Sequence, residues 1–396
     1  MPQRKRAERT NGPALPQSHS YMRLFEYSYM SCYAHGMIHA TPETNAKLER
    51  RLSDLDDLHR QLGREVATPA AWMGALRRLA QTLAVESSTS IEGFHVPHDE
   101  ALALVTGGAA ADPADENRMA VACYARAMDH VGTMADDPSF RWLDRVILDL
   151  HFDACRFQRD KSPGRWRTGP IGVTGGDGRI VYEAPDASQV PSLMHEVVEW
   201  LAHGDRSAHV AVRAAMAHLH VVSVHPFRDG NGRVSRIVQS LVLARDGIVS
   251  PEFASIEEHL STHTAEYYEA LRRVQGAGRY DPSRDARSWV MFCIDAHLSQ
   301  ARRRLAQIEQ AAERWGRLEQ LADERGWPDR LVIALEQALI AGDTDRTRYA
   351  TEADIALVTA TGDLRRLSDA GLLGAVGGGR ATRYAPSDAL RAAVAG

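Results

Sequence analysis

Twelve consecutive residues, His225-Pro-Phe-Arg-Asp229-Gly-Asn231-Gly-Arg233-Val-Ser-Arg236, bring together four kinds of chemistry. His225 can exchange a proton near neutral pH. Asp229 can hold a hard cation such as Mg²⁺. The turn Gly230-Asn231-Gly232 can converge backbone N–H groups on an anion. Arg233 and Arg236 stand three apart at a helix start, where they repel each other and oppose the helix dipole. A polyphosphate between them converts that cost into binding through charge-assisted hydrogen bonds. Taken singly, the residues fit a helix–turn–helix corner with its arginines in water. Taken together, they point to a polyphosphate site.

The elements that must position this stretch are helices. Val234, Ile237, Val238, Leu241 and Val242 recur on one helix face after the turn, and Val210, Ala214, Ala215, Leu219 and Val222 make 209–223 an apolar helix before it. The loop then lies between two buried helices, with an anion-friendly helix N-terminus pointing into it. Further upstream, helical spacing covers 45–62 (Leu48, Leu52, Leu55, Leu58) and 69–85 (Trp72, Leu76, Leu79, Leu83). The run Glu86-Ser-Ser88-Thr-Ser-Ile-Glu92-Gly93 reads as a helix end capped by Gly93. It also sets Ser88 and Glu92 four apart on one face.

Residues 96–115, with Gly107, Gly108 and Pro113, read as a connection. Helices follow at 116–131 and 141–157, the second faced by Trp142, Val146 and Leu150, with His151 as a packed core histidine. The one convincing β segment is 163–191. Ile171 and Val173, then Gly175-Gly176-Asp177-Gly178, then Ile180 and Tyr182 make a hairpin with a glycine turn. Set in a helical core, such a hairpin is exposed on both edges and can pair with an extended peptide. Helices continue at 192–201 and 261–274. The second carries Tyr267-Tyr268, rings that can stack on a purine or pack in the core. Residues 286–297 close the core with Trp289, Phe292 and Cys293.

The whole chain has 396 residues, 44% hydrophobic and 25% charged, as expected of a soluble globular protein of two or three domains. A net charge of −5 argues against a broad nucleic-acid surface. Cys32, Cys123, Cys155 and Cys293 are far apart and lack metal-ligand spacing, which fits reduced thiols in a cytosol. No run reaches the length of a membrane span and no apolar signal follows the basic start, so a cytoplasmic protein without a membrane partner is expected. The expected layout is a disordered tail at 1–20, an N-terminal helical region at 21–115, a core at 116–297, a connecting helix at 298–327 and a small domain at 328–396. In the connecting helix, Leu298, Ala301, Leu305, Ile308, Ala312 and Trp315 suit a packed seam, and a homodimer and a helix laid on the core both stay open. The last domain shows helices at 330–340 and 363–373, and another opened by Thr351-x-x-Asp354 in capping-box style. Gly377–Gly379 then turn into a strand at 381–385. That order resembles a winged helix with Arg365, Arg366, Arg380 and Arg383 placed to meet phosphates. The near balance of acids and bases there favours protein–protein or structural use over DNA binding.

The stretch 225–236 resembles the signature loop of the Fic family, His-x-Phe-x-(Asp/Glu)-Gly-Asn-Gly-Arg-x-x-Arg, with every fixed position filled. The resemblance extends over roughly residues 60–300. It implies a mainly α fold: a Fic-type helical core with a β-hairpin flap, followed here by the winged-helix-like (α+β) domain. It also implies an adenylyltransferase that moves AMP from ATP to a side-chain hydroxyl of a target protein lying along the flap. In that reading His225 takes the hydroxyl proton and Asp229 holds Mg²⁺. Gly230, Asn231 and Gly232 steady the α-phosphate through their amides and the Asn231 side chain. Arg233 and Arg236 grip the outer phosphates. Ile171, Gly172, Val173 and Thr174 face nucleotide or target, and Tyr267 and Tyr268 lie at the adenine pocket. Gln275 stands near the place where the family often has asparagine. Ser88-x-x-x-Glu92-Gly93 matches the family's inhibitory-helix pattern, which implies that Glu92 pairs with Arg236 in the place of the γ-phosphate.

Other readings stay open. The same site could remove AMP with Glu92 positioning a water, use another nucleotide donor, or transfer phosphate. From a different class, the chain could be a DNA-binding regulator whose core only senses ATP. The complete signature favours catalysis.

Overall fold

The structure, a computed structural model, describes residues 37–174, 180–245, 250–276, 278–378 and 382–395. The expected tail at 1–20, Cys32, the hairpin turn Gly175–Gly178, Gly379 and Arg380 lie outside the described residues. From Ile38 on, the chain is one compact unit.

The helices of its first part are α1 (Ala46–Ala67), α2 (Met73–Ile91), α3 (His98–Val105), α4 (Glu116–Asp136) and α5 (Asp144–Cys155). Strands β1 (Gly172–Thr174) and β2 (Ile180–Glu183) follow, then α6 (Val190–His203), α7 (Val210–Val224), α8 (Asn231–Arg245), α9 (Glu257–Thr262), α10 (Thr264–Gln275) and β3 (Gly278–Arg279). The remainder is α11 (Arg287–Glu324), α12 (Arg330–Ala341), α13 (Arg346–Glu352), α14 (Leu357–Asp369), β4 (Leu373–Val376), β5 (Arg383–Pro386) and α15 (Asp388–Val394).

Helices α7 and α8 form the centre, where their polar as well as their apolar side chains are buried. Every residue from Ala211 to Val224 is buried, and so is every residue from Arg233 to Leu243. Helices α2, α4, α5 and α11 pack around this pair, and their apolar faces join one core.

Helix α2 runs through its hydroxyl-rich segment and does not stop before it. Thr89 Oγ1 donates back to the Val85 carbonyl at 3.0 Å and Ser90 Oγ to Ser87 at 2.9 Å, so the hydroxyls are absorbed by the helix itself. Its end comes at Gly93, whose φ of +87° carries the chain out while Phe94 N–H returns to the Thr89 carbonyl at 3.1 Å. Residues 96–115 are not a plain connection, because α3 forms inside them, with Asp99 and Glu100 in its first turn.

The hairpin differs from expectation at one edge. β3 pairs parallel to β2 at Tyr182 and Glu183, so of the hairpin's two edges it is the β1 edge that has no strand partner among the described residues. Two-residue strands such as Gly278–Arg279 carry no alternation to read. The expected helix 261–274 is two helices, α9 and α10, broken at His263.

The expected core-closing helix and connecting helix are one, α11, of 38 residues. Its seam turns inward on this chain: Ala311 and Leu318 are buried and Ala312 is not, and Leu318 and Ala322 join a second apolar cluster with α12, α13 and α14. The expected capping box is absent. Thr351 lies inside α13, whose cap is Asp345, accepting from Thr347 and Arg348 N–H. Leu357, not Asp363, opens α14, and the glycine turn joins the antiparallel pair β4–β5. Arg383 is already paired with Asp343 at 3.0 Å, and Arg365 lies 3.8 Å from Asp369. Among the described residues no helix is long and apolar enough to cross a membrane.

Candidate active site

The signature loop joins α7 to α8, and its first residue is held in a costly conformation. His225 caps α7 at φ 51°, a left-handed setting that a side chain other than glycine adopts only when its surroundings impose it. Its Nδ1–H donates to the Val222 carbonyl at 3.1 Å. A carbonyl can only accept, so the tautomer is fixed and Nε2 keeps its lone pair, without a partner among the described residues. Burial lowers the imidazole's pKa below its ordinary value, so at neutral pH it is an uncharged base.

The middle of the loop is closed by Asn231. Its Oδ1 accepts from Phe227 N–H at 2.8 Å and its Nδ2 donates to the Phe227 carbonyl at 2.9 Å. Each end of the side chain thereby makes one bond to the loop backbone, and one Nδ2–H is left over. What remains for an anion besides it is the first turn of α8, whose amides have no helical acceptor. Gly230, at φ +77°, is required twice over, because a Cβ there would also run into the Cys155 Sγ. Burial pushes that thiol's pKa up to about 12, so it is inert.

Asp229 Oδ1 accepts from Gly230 N–H at 2.6 Å, and Oδ2 accepts from Gln158 Nε2 at 2.8 Å. The same Gln158 accepts from Arg233 Nη2 at 2.9 Å, so one amide bridges the acid and the arginine. Arg233 is fully buried, its guanidinium 5.3 Å from the Phe94 ring centre and 5.7 Å from Phe157. Arg236, also buried, donates through Nε to Ser88 Oγ at 2.7 Å and through Nη2 to the Ser88 carbonyl at 3.0 Å and to Glu92 Oε1 at 2.8 Å. Among the described residues, Arg233 Nε and Nη1 and Arg236 Nη1 are buried without any acceptor. Gly232 lies beneath Glu92: a Cβ on it would stand 2.5 Å from Oε1.

Several residues that hold this loop have no sequence signal. His151 accepts from Gly164 N–H at 2.8 Å through Nδ1, so its Nε2–H donates to the Asp229 carbonyl at 3.1 Å. Its ring stacks on Phe227 with centres 3.6 Å apart. It is a core histidine that positions the loop. Arg167 ties the loop to the sheet. Its N–H donates to Pro226 at 2.8 Å, Nε to the His225 carbonyl at 2.9 Å, and Nη2 to the Pro185 carbonyl at 2.6 Å. The Tyr182 hydroxyl donates to the Ser223 carbonyl from β2, which fixes the sheet to the end of α7.

The tyrosine pair divides. Tyr267 is buried in the core, its hydroxyl 3.1 Å from His218 Nε2, while Tyr268 is 48% exposed and can offer a face to a base. Gln275 is turned inward, donating to Ser223 Oγ at 3.2 Å, so it meets no ligand edge. Ile171, Gly172 and Val173 are half-buried and Thr174 is exposed on the open-edged strand.

No cluster of three or more His, Cys, Asp or Glu that could cage a metal exists among the described residues. Asp229 stands alone at the loop, part-exposed, with lone pairs left beyond its two hydrogen bonds. One carboxylate completed by substrate oxygens and water is how Mg²⁺ is commonly held, so the residues fit that ion and not a zinc cage.

The Fic/DOC family pattern matches residues 142–243. Protein adenylyltransferase fic-1 of Caenorhabditis elegans is 33% identical over 125 residues, 30% of this chain and 23% of that protein. Probable protein adenylyltransferase aq_aa38 of Aquifex aeolicus (strain VF5) is 31% identical over 80 residues, 20% of this chain and 25% of that protein. The chain thus spans about a quarter of the length of these curated relatives. The crystal structure of a Fic family protein from Desulfovibrio desulfuricans G20 matches with a TM-score of 0.54 at 18% identity, over 88% of this chain and 98% of that one. The Fic-1 fragment from C. elegans matches with a TM-score of 0.55 at 19% identity, over 74% of this chain and 79% of that one. At such identities the structures bear on fold alone; joined to the family pattern, they establish that this chain carries a Fic/DOC family domain at residues 142–243 within a mostly helical Fic fold.

Proposed function

We propose that the chain is a protein adenylyltransferase, moving AMP from ATP to a hydroxyl side chain of a protein target and restrained by Glu92. One observation carries the proposal: within the one stretch 225–236, buried arginine N–H groups lack acceptors and the imidazole's tautomer leaves Nε2 as a base. Buried donors are nearly always satisfied, and a polyphosphate across the loop would satisfy these. The names of the relatives fit this reading.

In the proposed reaction the target oxygen attacks the α-phosphorus and the bond from that phosphorus to the pyrophosphate oxygen breaks. The hydroxyl proton passes to His225 Nε2. The α8 first-turn amides face charge gathering on the α-phosphate, and Arg233 and Arg236 hold the departing pyrophosphate. Mg²⁺, held by Asp229, would neutralise phosphate charge when bound. No covalent enzyme intermediate is required. The open β1 edge offers main-chain bonds to the target segment.

Glu92 restrains this chemistry by occupying Arg236. Its carboxylate stands where an outer phosphate would draw the same guanidinium, so ATP would bind weakly or with its α-phosphorus misaimed. An ångström of misplacement can cost about 10²-fold in rate. The test is incubation with ATP labelled at the α-phosphate, comparing the protein with Glu92→Gly and His225→Ala. Self-labelling that rises with the first and vanishes with the second is expected. Label arriving only from the γ-phosphate would replace AMP transfer with phosphate transfer.

A further inference from the structure

Residues 156–167 form a segment with two faces. Inward, Phe157, Gln158, Gly164 and Arg167 hold the signature loop through the contacts given above. Outward, Arg156, Arg159 and Arg165 line a groove of about 830 Å³ walled by Phe152, Met119 and Pro163. Phe152 is 47% exposed although α5 buries its other face. The groove lining contains no carboxylate, and none of the three arginines has an acidic partner among the described residues. The nearest acid in sequence, Asp160, pairs with Lys161 at 3.0 Å. Arg228, exposed in the signature loop, adds its charge near Asp160.

A concentration of unpaired arginines is out of keeping with a chain of net charge −5. Arg159 and Arg165 are exposed, and an anionic partner would turn their mutual repulsion into attraction; arginine beside an exposed aromatic is the composition of a protein-binding patch. At the Pro113 rim, Asp115 is already paired with Arg118 at 3.4 Å, so the arginines set the sign of the groove. A short acidic peptide segment fits within it. The segment that bears Arg165 continues in sequence through Arg167 to β1.

We propose that this groove docks an acidic stretch of the target protein flanking the hydroxyl that receives AMP, which narrows the substrate class to proteins carrying such a stretch. The use of the partner rests on the adenylyltransferase reading; the docking itself does not. Steering by this patch acts on encounter as well as affinity, and weakens with salt.

The test uses a fluorescein-labelled peptide of alternating glutamate and glycine, a matched glutamine–glycine peptide and a thymidine oligonucleotide of equal charge, read by anisotropy on the full chain. The glutamate peptide should bind, the glutamine peptide should not, and Arg159→Glu with Arg165→Glu should weaken binding by about ten-fold or more. Arg159→Lys with Arg165→Lys should retain it, which separates charge from misfolding. Binding that ignores the charge reversal, or an oligonucleotide that binds as tightly as the peptide, overturns the proposal. Self-labelling from α-labelled ATP is read in parallel. Its loss with peptide binding intact would refute AMP transfer and leave the groove standing, and the converse would refute only the groove.

Discussion

Glu92 Oε1 accepts from Arg236 Nη2 at 2.8 Å, on the same guanidinium that Ser88 holds through its hydroxyl at 2.7 Å and its carbonyl at 3.0 Å. The two contacts differ in what they can do. Ser88 lies inside α2 and is buried, whereas Glu92 is the residue that leaves the helix, next to a glycine at φ +87°. The serine grip can therefore persist while the carboxylate swings away. Arg236 would then stay aimed while its outer acceptor is exchanged.

Glu92→Gly should raise self-labelling from α-labelled ATP by about ten-fold or more, by returning an arginine donor to the phosphate. It should also lower the melting temperature without nucleotide, since losing a charged acceptor costs about 1.5–3 kcal/mol. ATP with Mg²⁺ should restore that temperature by occupying the orphaned donor. Labelling no higher than in the parent, with ATP bound, would remove Glu92 from the control of the reaction.

The pH profile follows from His225. Burial lowers its folded pKa below 6.5, and the base is active when unprotonated. Transfer by the Glu92→Gly protein should thus be flat from pH 7 to 8 and fall on acidification, with its midpoint below the ordinary histidine value. A midpoint above that value would contradict the buried, neutral imidazole.

Asn231 offers a test of structure against ligand contact. Both ends of its side chain satisfy buried groups of Phe227. Asn231→Ala would leave an N–H and a carbonyl unpaired, at about 1–3 kcal/mol each. Chemical denaturation without nucleotide should show that loss in full. An unchanged midpoint, with only ATP affinity reduced, would mean that the amide serves the phosphate after all.

How much of this was legible beforehand depends on whether a residue acts through its neighbours in sequence or across the fold. The loop 225–236 and the pair Ser88 and Glu92 were legible because each packs its chemistry into one or a few turns. The central helices were legible because their apolar residues recur at helical spacing. Arg167 and Gln158 were not, since each acts on residues 58 to 75 positions away, and a lone polar residue in a loop has no period. The same holds for β3, which exists only because β2 offers an edge. Asn231 was visible as a residue, but its grip on the Phe227 backbone was not, because a motif states which side chain is needed and not which way it faces. Whether 287–324 is one helix or two depends on packing at each end, to which its continuous helical spacing is blind.

His151 gives an acid-stability signature. Its pKa falls from 6.5 unfolded to about 4 folded, chiefly through burial. Between those values the unfolded chain binds more protons, so the contribution is complete above pH 6.5 and is lost as pH falls towards 4. The shift is worth about 3 kcal/mol. Urea midpoints should decline from pH 7 to pH 5, and the gap between the parent and His151→Gln should narrow over the same range. A constant gap would mean that the imidazole titrates alike in the folded and unfolded chain, and a widening one that it is charged in the fold.

Gln158 is where the acid and the arginine of the loop meet. It donates to Asp229 and accepts from Arg233, and so holds the carboxylate in place while occupying one guanidinium nitrogen. In Gln158→Ala, Asp229 keeps its bond to Gly230 N–H and its ion pair with Arg233 at 3.6 Å but gains rotational freedom. Loss of an outer-shell hydrogen bond to a metal-bearing carboxylate typically weakens binding about 10–100-fold. The Mg²⁺ concentration that half-saturates transfer should rise accordingly, and the rate at saturating Mg²⁺ should change far less. Mg²⁺-dependent thermal protection in the presence of ATP should shift by the same factor, a readout that does not pass through turnover. If instead the rate collapses at every Mg²⁺ concentration, Gln158 serves Arg233 and the phosphates, and the carboxylate is positioned by the loop alone.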